Sequence, residues 1–566
     1  MILKLISYYS IYFVFLFSVV GYGFIFNYLF RNAIYSKNLG YLIIFGSFFL
    51  SFLSYLSILF ISHNEHFNLL IHLLGVLSFL FNIKKIKLNS IILIFLSVLF
   101  LSMILSKNHD DFPYYHLQQV LNLTQNKLII GLGNLETSYS HHSSILFLNS
   151  LFYIPFYKFY FFNAPNMILY SGLSLIFIEH IFKKNLNKFL RIFSLFIITY
   201  FLSKFNRLSE FGTDIIGQYI ILIFIFEILK YFFISKKRKP IFFNKNSILL
   251  ISCLVFCISI KTYFVIYSLF VILIFFMIDF SKLFQLFRKK FFFFTFIILY
   301  LSLYLGINLA TSGCLIYPFP NLCFENLSWA LKIKEIIDIN AWYEIWAKSL
   351  AGPSFRVENN LELIKNFEWI KYWIDNYFFY KFTDNIAGLF FLSFIILIAS
   401  LFIKNKNPRE RARNSELKYF LIILLILIVI WFFNFPQLRY GGYALFITLF
   451  AYFNSILLSS YSYGEKRFNR LMQTLLILSL AIFCLKNMIR ISNELKRADM
   501  YKFNNFPFFT VPSNIEYNEK NVNGLIKLYT PVNNNCWYIP SPCPGGSDDI
   551  NAKLKFGFII LYNENR

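Results

Sequence analysis

Two adjacent carboxylates, Asp110 and Asp111, lie in the stretch NHDDFPYYHL at the end of a long apolar run. A pair of carboxylates this close can act as a general base for a hydroxyl nucleophile or bind a divalent cation. Like charges at this spacing raise one of the two pKa values, which suits a base. A helix cap is the alternative, because Asp is a favoured N-cap and Pro113 is tolerated in a first turn. One Asp is enough for an N-cap, so the presence of a second Asp favours a role as a general base or a cation ligand.

More polar side chains follow in the same segment. His116 comes shortly after the carboxylates, and GLGNLETSYSHHSS (131–144) contains Asn134, His141 and His142. We expect these four side chains to bind substrate by hydrogen bonds. The glycines are not a dinucleotide-binding motif, because Glu136 takes the third glycine position of G-x-G-x-x-G and no βαβ pattern surrounds it. They predict either a tight turn or a backbone segment that faces a substrate.

Charged residues also stand at the ends of later apolar runs. Glu210 and Asp214 lie in RLSEFGTD, Lys261 in ISIKTYF and Arg439 in FPQLRYGG. Arg binds phosphate in bidentate fashion, so Arg439, and more weakly Lys261, are predicted phosphate ligands. The alternatives are an N-cap for Asp214 and contact with lipid headgroups for Arg439.

The elements that position these residues are membrane helices. A mean hydropathy of +0.60, with 21% aromatic and 14% charged residues, excludes an ordinary soluble protein. Runs of about 18 apolar residues span a bilayer, and residues 11–30, 91–105 and 419–433 are examples. The first run has no cleavage site after it and predicts a retained helix. We therefore predict an all-α polytopic membrane protein of about fourteen transmembrane helices, with interfacial helices outside the membrane.

The net charge of +25 gives the orientation and does not indicate a nucleic-acid partner. Lys and Arg concentrate in short connections, which the positive-inside rule places in the cytoplasm: 83–87, 236–240, 287–290, 404–413 and 464–470. The N-terminus then lies outside, together with 107–143, 205–213, 311–385, 435–440 and 488–566. We predict a membrane domain, 1–487, and an external tail domain, 488–566. Residues 144–162 would break the alternation as a span, so we expect a helix in the outer interface.

The cysteines agree with this orientation. Cys314 and Cys323, and Cys536 and Cys543, form two close pairs in segments predicted outside, where disulfides persist. Zinc is the alternative, but the spacing is wide and no His lies beside either pair. The remaining three cysteines lie in apolar runs and are expected to be buried small side chains: Cys253, Cys257 and Cys484.

A transmembrane segment that leads to an external acidic motif and then to interfacial helices resembles the type C glycosyltransferases. The stretches DDFPYYHLQQV, GLGNLETSYSHHSS, SGCLIYPFPNLCFENLSWAL, FPQLRYGG and CWYIPSPC are also similar to an uncharacterised family of bacterial membrane proteins with that layout. The resemblance is scattered over most of the chain in short motifs. Members commonly have one acidic residue where this chain has Asp110 and Asp111, so either could correspond to it. Glu210 or Asp214 would match the second external acidic residue of such enzymes.

The resemblance implies a hexosyl- or pentosyltransferase of the bacterial cytoplasmic membrane that works on its outer, periplasmic side. A polyprenyl-phosphate-linked sugar would be the donor, and a glycan, lipid or protein of the cell envelope would be the acceptor. Membrane lipids surround the protein, and the only cofactor that the residues suggest is a divalent cation, which Asp110 and Asp111 could hold. An O-antigen polymerase or ligase, and a transporter or flippase, remain alternatives. Transport is disfavoured because the notable charges stand at span ends rather than inside the spans.

Overall fold

The chain is mostly helical. The computed structural model describes residues 2–31, 38–86, 88–105, 112–208, 212–233, 239–276, 280–349, 366–401, 416–459, 464–496, 506–509, 511–512, 515–532, 535–544 and 549–563. Its helices are α1 (Ile2–Leu29), α2 (Leu39–Ser57), α3 (Glu65–Asn82), α4 (Ser90–Phe100), α5 (Leu117–Gln125), α6 (Ser144–Ser150), α7 (Ala164–Phe182), α8 (Lys188–Lys204), α9 (Asp214–Phe233), α10 (Lys239–Ile260), α11 (Ser268–Phe276), α12 (Phe280–Lys289), α13 (Phe291–Ser312), α14 (Ile333–Ser349), α15 (Trp369–Trp373), α16 (Thr383–Leu401), α17 (Glu416–Asn434), α18 (Tyr443–Ser459) and α19 (Glu465–Lys496). Its strands are β1 (Tyr517–Val522), β2 (Ile526–Pro531), β3 (Ile550–Lys555) and β4 (Phe558–Asn563).

The membrane class predicted from composition is confirmed. Within the described ranges, nine helical segments are long and apolar enough to cross a membrane: Ile2–Leu29, Leu39–Ser57, Glu65–Lys85, Phe159–Phe182, Asp214–Phe233, Phe291–Ser312, Leu417–Asn434, Leu438–Ser459 and Glu465–Lys496. Three shorter apolar helical segments accompany them: Ser90–Met103, Asn246–Ile260 and Thr262–Ile272. The predicted total of fourteen is not confirmed and stays a prediction.

The helices approach one another closely where glycine removes the side chain. A Cβ on Gly21 of α1 would lie 1.8 Å from the carbonyl oxygen of Gly75 in α3. A Cβ on Gly46 of α2 would lie 1.9 Å from the carbonyl oxygen of Val19 in α1. Membrane helices gain most of their packing energy from such close backbone contact, because lipid competes equally well for apolar side chains. These glycines hold α1, α2 and α3 together as one unit.

After the carboxylate pair, Leu117, Val120, Leu121 and Thr124 stand at helical spacing and predict an amphipathic helix. This helix is present as α5, but both of its faces are buried. Every residue from Leu117 to Thr124 is shielded from solvent. The C-terminal segment covers the polar face: Gln118 Nε2 donates to the carbonyl oxygens of Trp537 at 3.0 Å and Ile539 at 2.9 Å. The polar face of α5 is buried because a segment more than 400 residues later in the chain packs against it. No local sequence pattern predicts this contact.

The tail forms two antiparallel hairpins, β1–β2 and β3–β4. Their apolar residues share one small core with Ile129, Leu132, Leu135 and Tyr139 of the first long loop, which is residues 112–143 in the described part of the chain. The last membrane helix, α19, runs past the predicted boundary at residue 487 and ends at Lys496. The tail therefore packs onto the first loop and does not enclose its core alone.

Two further sequence predictions have clear outcomes. Both disulfides, Cys314–Cys323 and Cys536–Cys543, are confirmed. Cys253 and Cys257 are buried free thiols as predicted, whereas Cys484 is only partly buried. The interfacial helix over 144–162 is wrong. Residues 144–150 form the short helix α6, all seven of which are buried against α2 and α5. A helix of this length rises only about 10 Å, so it cannot span a bilayer.

Candidate functional site

The predicted base lies outside the described residues. Asp110 and Asp111 belong to the gap at 106–111, and Glu210 belongs to the gap at 209–211. Among the residues that the structure does describe, no group of three or more His, Cys, Asp and Glu could hold a metal ion. The site is therefore built from the other predicted residues.

Three of those residues meet in space. Asp214 is the first residue of α9, Lys261 follows the last residue of α10, and Arg439 precedes α18. The Asp214 carboxylate forms an ion pair with the Lys261 ammonium, and its second oxygen lies 3.9 Å from Arg439 Nε. The structure thus brings together one predicted acidic residue and both predicted phosphate ligands.

Tyr440 completes this group, which we call the cation cluster: Asp214, Lys261, Arg439 and Tyr440. The Lys261 ammonium and the Arg439 guanidinium carbon each lie 4.8 Å from the Tyr440 ring centroid. Arg439 Nη2 donates to the Tyr440 hydroxyl at 2.7 Å. The exposed fractions of the side chains are 27% for Asp214, 28% for Lys261 and 38% for Arg439, so none of the three is fully buried. Arg439 Nε has no hydrogen-bond partner in the described part of the chain.

The backbone of FPQLRYGG positions Arg439, and hydrogen bonds from side chains of other helices hold this backbone in place. Gln218 of α9 donates to the carbonyl oxygens of Leu438 at 3.1 Å and Arg439 at 2.9 Å, and it accepts from the Ala444 N–H at 3.1 Å. The Tyr267 hydroxyl donates to the Gly441 carbonyl oxygen at 2.8 Å. Main-chain groups freed from a helix in the membrane need such partners, since no water replaces them. The irregular turn is therefore a fixed support for Arg439.

Gly441 makes this turn possible. Its φ is +84°, in the left-handed region that favours glycine, and the preceding Tyr440 is also non-helical. A Cβ on Gly441 would lie 2.9 Å from the Tyr263 ring. The glycine pair in FPQLRYGG, which the sequence alone leaves unexplained, thus allows the bend that starts α18.

Two of the three predicted histidines, His141 and His142, lie beside the segment 311–349. His141 Nε2 is 2.6 Å from the Tyr343 hydroxyl, and its ring contacts Tyr317 edge to face at 4.9 Å. His142 Nε2 is 2.9 Å from the Thr311 hydroxyl. The Thr311 proton has its own acceptors on α13, so His142 is the donor of this bond.

The first long loop lies within electrostatic range of the cation cluster. The Lys261 ammonium and the His116 ring are both close enough to His141 to lower its pKa. Tyr115 likewise lies within electrostatic range of the Arg439 guanidinium. The segment that directly follows Asp111 in sequence therefore borders the cluster, as do His116 and His141.

Asn134 has a structural position. Its amide nitrogen donates to the carbonyl oxygens of Trp329 at 2.9 Å, Gly131 at 3.1 Å and Leu561 at 3.4 Å. These bonds join the first long loop, the segment 311–349 and strand β4. Asn134 is 2% exposed. Its amide therefore has a structural role, because it joins these three segments in the interior.

Both histidines favour the neutral form. Burial lowers the pKa of His141 to about 4, with a further contribution from Lys261, and lowers that of His142 to about 3. At pH 7 the two imidazoles are uncharged and add nothing to the positive charge of the cluster. They can therefore serve as neutral hydrogen-bonding groups beside it.

We expect the protein to lose stability as the pH falls from 6.5 toward 4. In that window an unfolded histidine binds a proton, whereas folded His141 and His142 do not, so protonation favours unfolding. His142→Gln should flatten this part of the profile, and the exposed His66→Gln should leave it unchanged. Melting temperatures in detergent between pH 7 and pH 4 measure the slopes, and equal slopes for all three proteins would contradict the expectation.

Sequence reasoning missed three contributors. Tyr440 stands beside the predicted Arg439 and was signalled only by its position in the motif. Gln218 and Tyr343 carry no local signal, because their partners are far away in sequence. Gln218 contacts residues at least 220 positions later, and Tyr343 contacts a residue 202 positions earlier.

The sequence analysis also missed Glu227, which is fully buried inside α9. The expectation that notable charges stand only at span ends is therefore wrong.

Fold and site together define a polytopic α-helical membrane protein with a cation cluster where three helices begin or end. The family described as Domain of unknown function (DUF8201) matches residues 1–447, and the chain belongs to this family. The match includes the whole cation cluster and both histidines and ends within α18. No curated protein and no solved structure matches the chain.

Proposed function

We propose that this protein is a membrane glycosyltransferase that uses a polyprenyl-phosphate-linked sugar. The sugar passes to a hydroxyl of a cell-surface glycan, lipid or protein on the outer side of the bacterial cytoplasmic membrane. The observation that carries the proposal is the convergence of Lys261 and Arg439 around one carboxylate at a membrane edge. An anionic lipid headgroup can reach such a place laterally from the bilayer.

The charge of the cation cluster suits this donor. Two cations and the Asp214 carboxylate leave one net positive charge, and the neighbouring histidines are neutral. A sugar phosphodiester carries one negative charge, whereas the departing polyprenyl phosphate carries close to two. Fixed cations act most strongly on charge that develops during the reaction. Lys261 and Arg439 therefore stabilise the leaving group more than the bound donor.

The acidic pair supplies the base. Asp110 or Asp111 takes the proton of the acceptor hydroxyl as its oxygen forms the bond to the anomeric carbon. The bond from that carbon to the phosphate oxygen breaks, and its electron pair leaves with the phosphate. Asp111 precedes Tyr115 by four residues, a chain reach of at most about 14 Å, and Tyr115 lies in electrostatic range of Arg439. This short connection supports placing base and cations in one site.

The contacts also support the fourteen-span topology that the proposal requires. One crossing by each of α1–α3, α7–α10, α13 and α16–α19, together with one by each of the shorter apolar segments Ser90–Met103 and Thr262–Ile272, gives fourteen spans and keeps all five basic connections on one side. The two shorter segments are assigned as crossings from the charge alternation and not from their length. Segments assigned outside bond to each other, as in the Gly131 N–H to the Ala310 carbonyl oxygen at 2.7 Å. Segments assigned inside do the same, as in Arg191 to Glu465 at 2.7 Å.

Transport is the second candidate, and one observation favours it. Glu227 lies within the span Asp214–Phe233, is 0% exposed, and pairs with Lys230 at 2.7 Å. Ionisable residues inside membrane spans mark ion or proton pathways in many transporters. The pair lies near the end of α9 that is distant from the cation cluster, so the two observations do not describe one site.

A comparison of surface glycans by mass spectrometry tests the proposal. The strains are a deletion, the deletion with the wild-type gene, and the deletion with Asp110→Asn and Asp111→Asn at matched membrane levels. The deletion should lose a sugar that the wild type restores, and the variant should restore it at least about 100-fold more slowly, the usual effect of removing a general base. Full restoration by the variant would remove the acidic pair from the mechanism. An unchanged glycan profile in the deletion strain would reject glycosyl transfer and favour transport.

A further inference from the structure

A polar groove lies on the side of the protein that the topology places outside. It has a volume of about 470 Å³, within the usual range of about 300–1,000 Å³ for small-molecule sites. Its polar lining residues are Asn134, Glu325, Asn326, Ser328, Lys332 and Asn563. No step of the proposed transfer uses this groove.

Three segments of the chain build the groove, and hydrogen bonds hold them in place. The amide of Asn134 joins the first loop to the carbonyl oxygens of Trp329 and Leu561, one from each of the other segments. The Leu561 N–H donates to the Ile130 carbonyl oxygen at 2.8 Å. The Cys314–Cys323 disulfide closes the chain directly before Glu325. A groove formed in advance avoids much of the ordering cost of binding.

The lining selects a ligand rich in hydroxyl groups. Glu325 offers acceptors, Lys332 offers donors, and Asn326 and Ser328 offer both within one short stretch. The apolar contribution is small and comes from Leu327, Ala330 and Leu331. Glu325 and Ser328 also accept from the Ile333 N–H at 3.1 Å and the Lys553 ammonium at 3.1 Å, which fixes the lining. A lipid tail or an apolar peptide would displace water from this polar surface without replacing its hydrogen bonds, whereas each sugar hydroxyl can both donate and accept.

The groove and the cation cluster share the first external loop. Asn134 lines the groove, and seven residues later His141 lies near Lys261. We infer that the groove binds an oligosaccharide and that this oligosaccharide is the acceptor of the sugar. The volume and the polar lining of the groove support oligosaccharide binding by themselves. Only the assignment of the oligosaccharide as the acceptor rests on the proposed function.

Binding is measured with the full-length protein in detergent. The probes are 2-aminobenzamide-labelled oligosaccharides released from the host envelope by mild acid, and fluorescence anisotropy reports the bound fraction. Ser328→Trp fills the groove and should weaken binding at least about tenfold. Asn326→Ala removes one amide and should weaken it several-fold. Asn521→Trp places the same bulk on the exposed surface of β1 and should bind as the wild type does.

The outcomes separate this inference from the proposed function. Absence of binding by the wild type, or equal binding by Ser328→Trp with an unchanged melting temperature, overturns the groove site. Arg439→Ala should bind the oligosaccharides normally, because the groove lies apart from the cation cluster. Groove-dependent binding in a protein whose deletion changes no surface glycan would keep the site and reject the transfer. A deletion that changes the glycans while no oligosaccharide binds would reject the groove alone.

Discussion

Arg439→Ala should lower the rate of sugar transfer by about 100- to 1,000-fold. This is the usual effect of removing one hydrogen-bond donor that stabilises the charge developing in the transition state. The guanidinium is held by a braced turn, and its Nε is without a hydrogen-bond partner among the described residues. Arg439→Lys keeps the charge but loses the planar pair of donors, so it should retain an intermediate rate. The measurement is the rate at which an induced gene copy restores the missing sugar in the deletion strain.

Arg467→Ala is the matched control for this experiment. Arg467 is exposed near the start of α19, on the side assigned to the cytoplasm. Its variant should restore the sugar at the wild-type rate. If Arg439→Ala also did so at equal protein level, the cation cluster would not bind the leaving phosphate. A lipid headgroup would then be the better partner for Arg439.

Glu227→Leu should destabilise the membrane domain by about 3–5 kcal/mol, the cost of breaking a buried ion pair on one side. The Glu227 carboxylate accepts from the Tyr41 hydroxyl at 2.6 Å and from the Lys230 ammonium at 2.7 and 2.8 Å. Its removal takes away one acceptor of a partly buried ammonium and of a buried hydroxyl. A thiol-reactive dye measures the melting temperature, because the buried Cys253 and Cys257 become reactive on unfolding.

The double variant Glu227→Leu with Lys230→Met distinguishes a structural pair from a functional one. Replacing both charges by apolar groups is often close to neutral, so the double variant should regain most of the lost stability. The exposed pair Glu519 and Lys527 provides the control, and Glu519→Leu should not shift the melting temperature. A stable double variant that restores surface glycans would assign the pair to helix packing. A stable double variant that fails to restore them would give Glu227 a function.

The membrane class follows from the sequence alone, because apolar run length and basic connections are local properties. The disulfides follow as well, since each pair lies within ten residues in a segment predicted outside. The helix after the carboxylate pair has the predicted periodicity. By contrast, the prediction of one interfacial helix over 144–162 failed, because only residues 144–150 form a helix and that helix packs in the interior against α2 and α5.

The candidate site was only partly predictable. Residue type and position at a span end were enough to select Asp214, Lys261 and Arg439 one by one. Their meeting depends on the arrangement of α9, α10 and α18, because Lys261 and Arg439 are 47 and 225 residues from Asp214 in sequence. Only the tertiary structure could decide which of the other charges are buried, as for Glu227 and for Arg191, which is 1% exposed.

The sequence by itself thus determined that the chain is a multi-span membrane protein and selected the charged residues at the membrane edges. The tertiary structure decided which of those charges share a site, which polar side chains brace it, and where the tail packs. The physical reason is the distance along the sequence over which each property acts. Hydropathy and charge act over one helix or one loop, whereas ion pairs and buried hydrogen bonds join residues that the chain order keeps far apart.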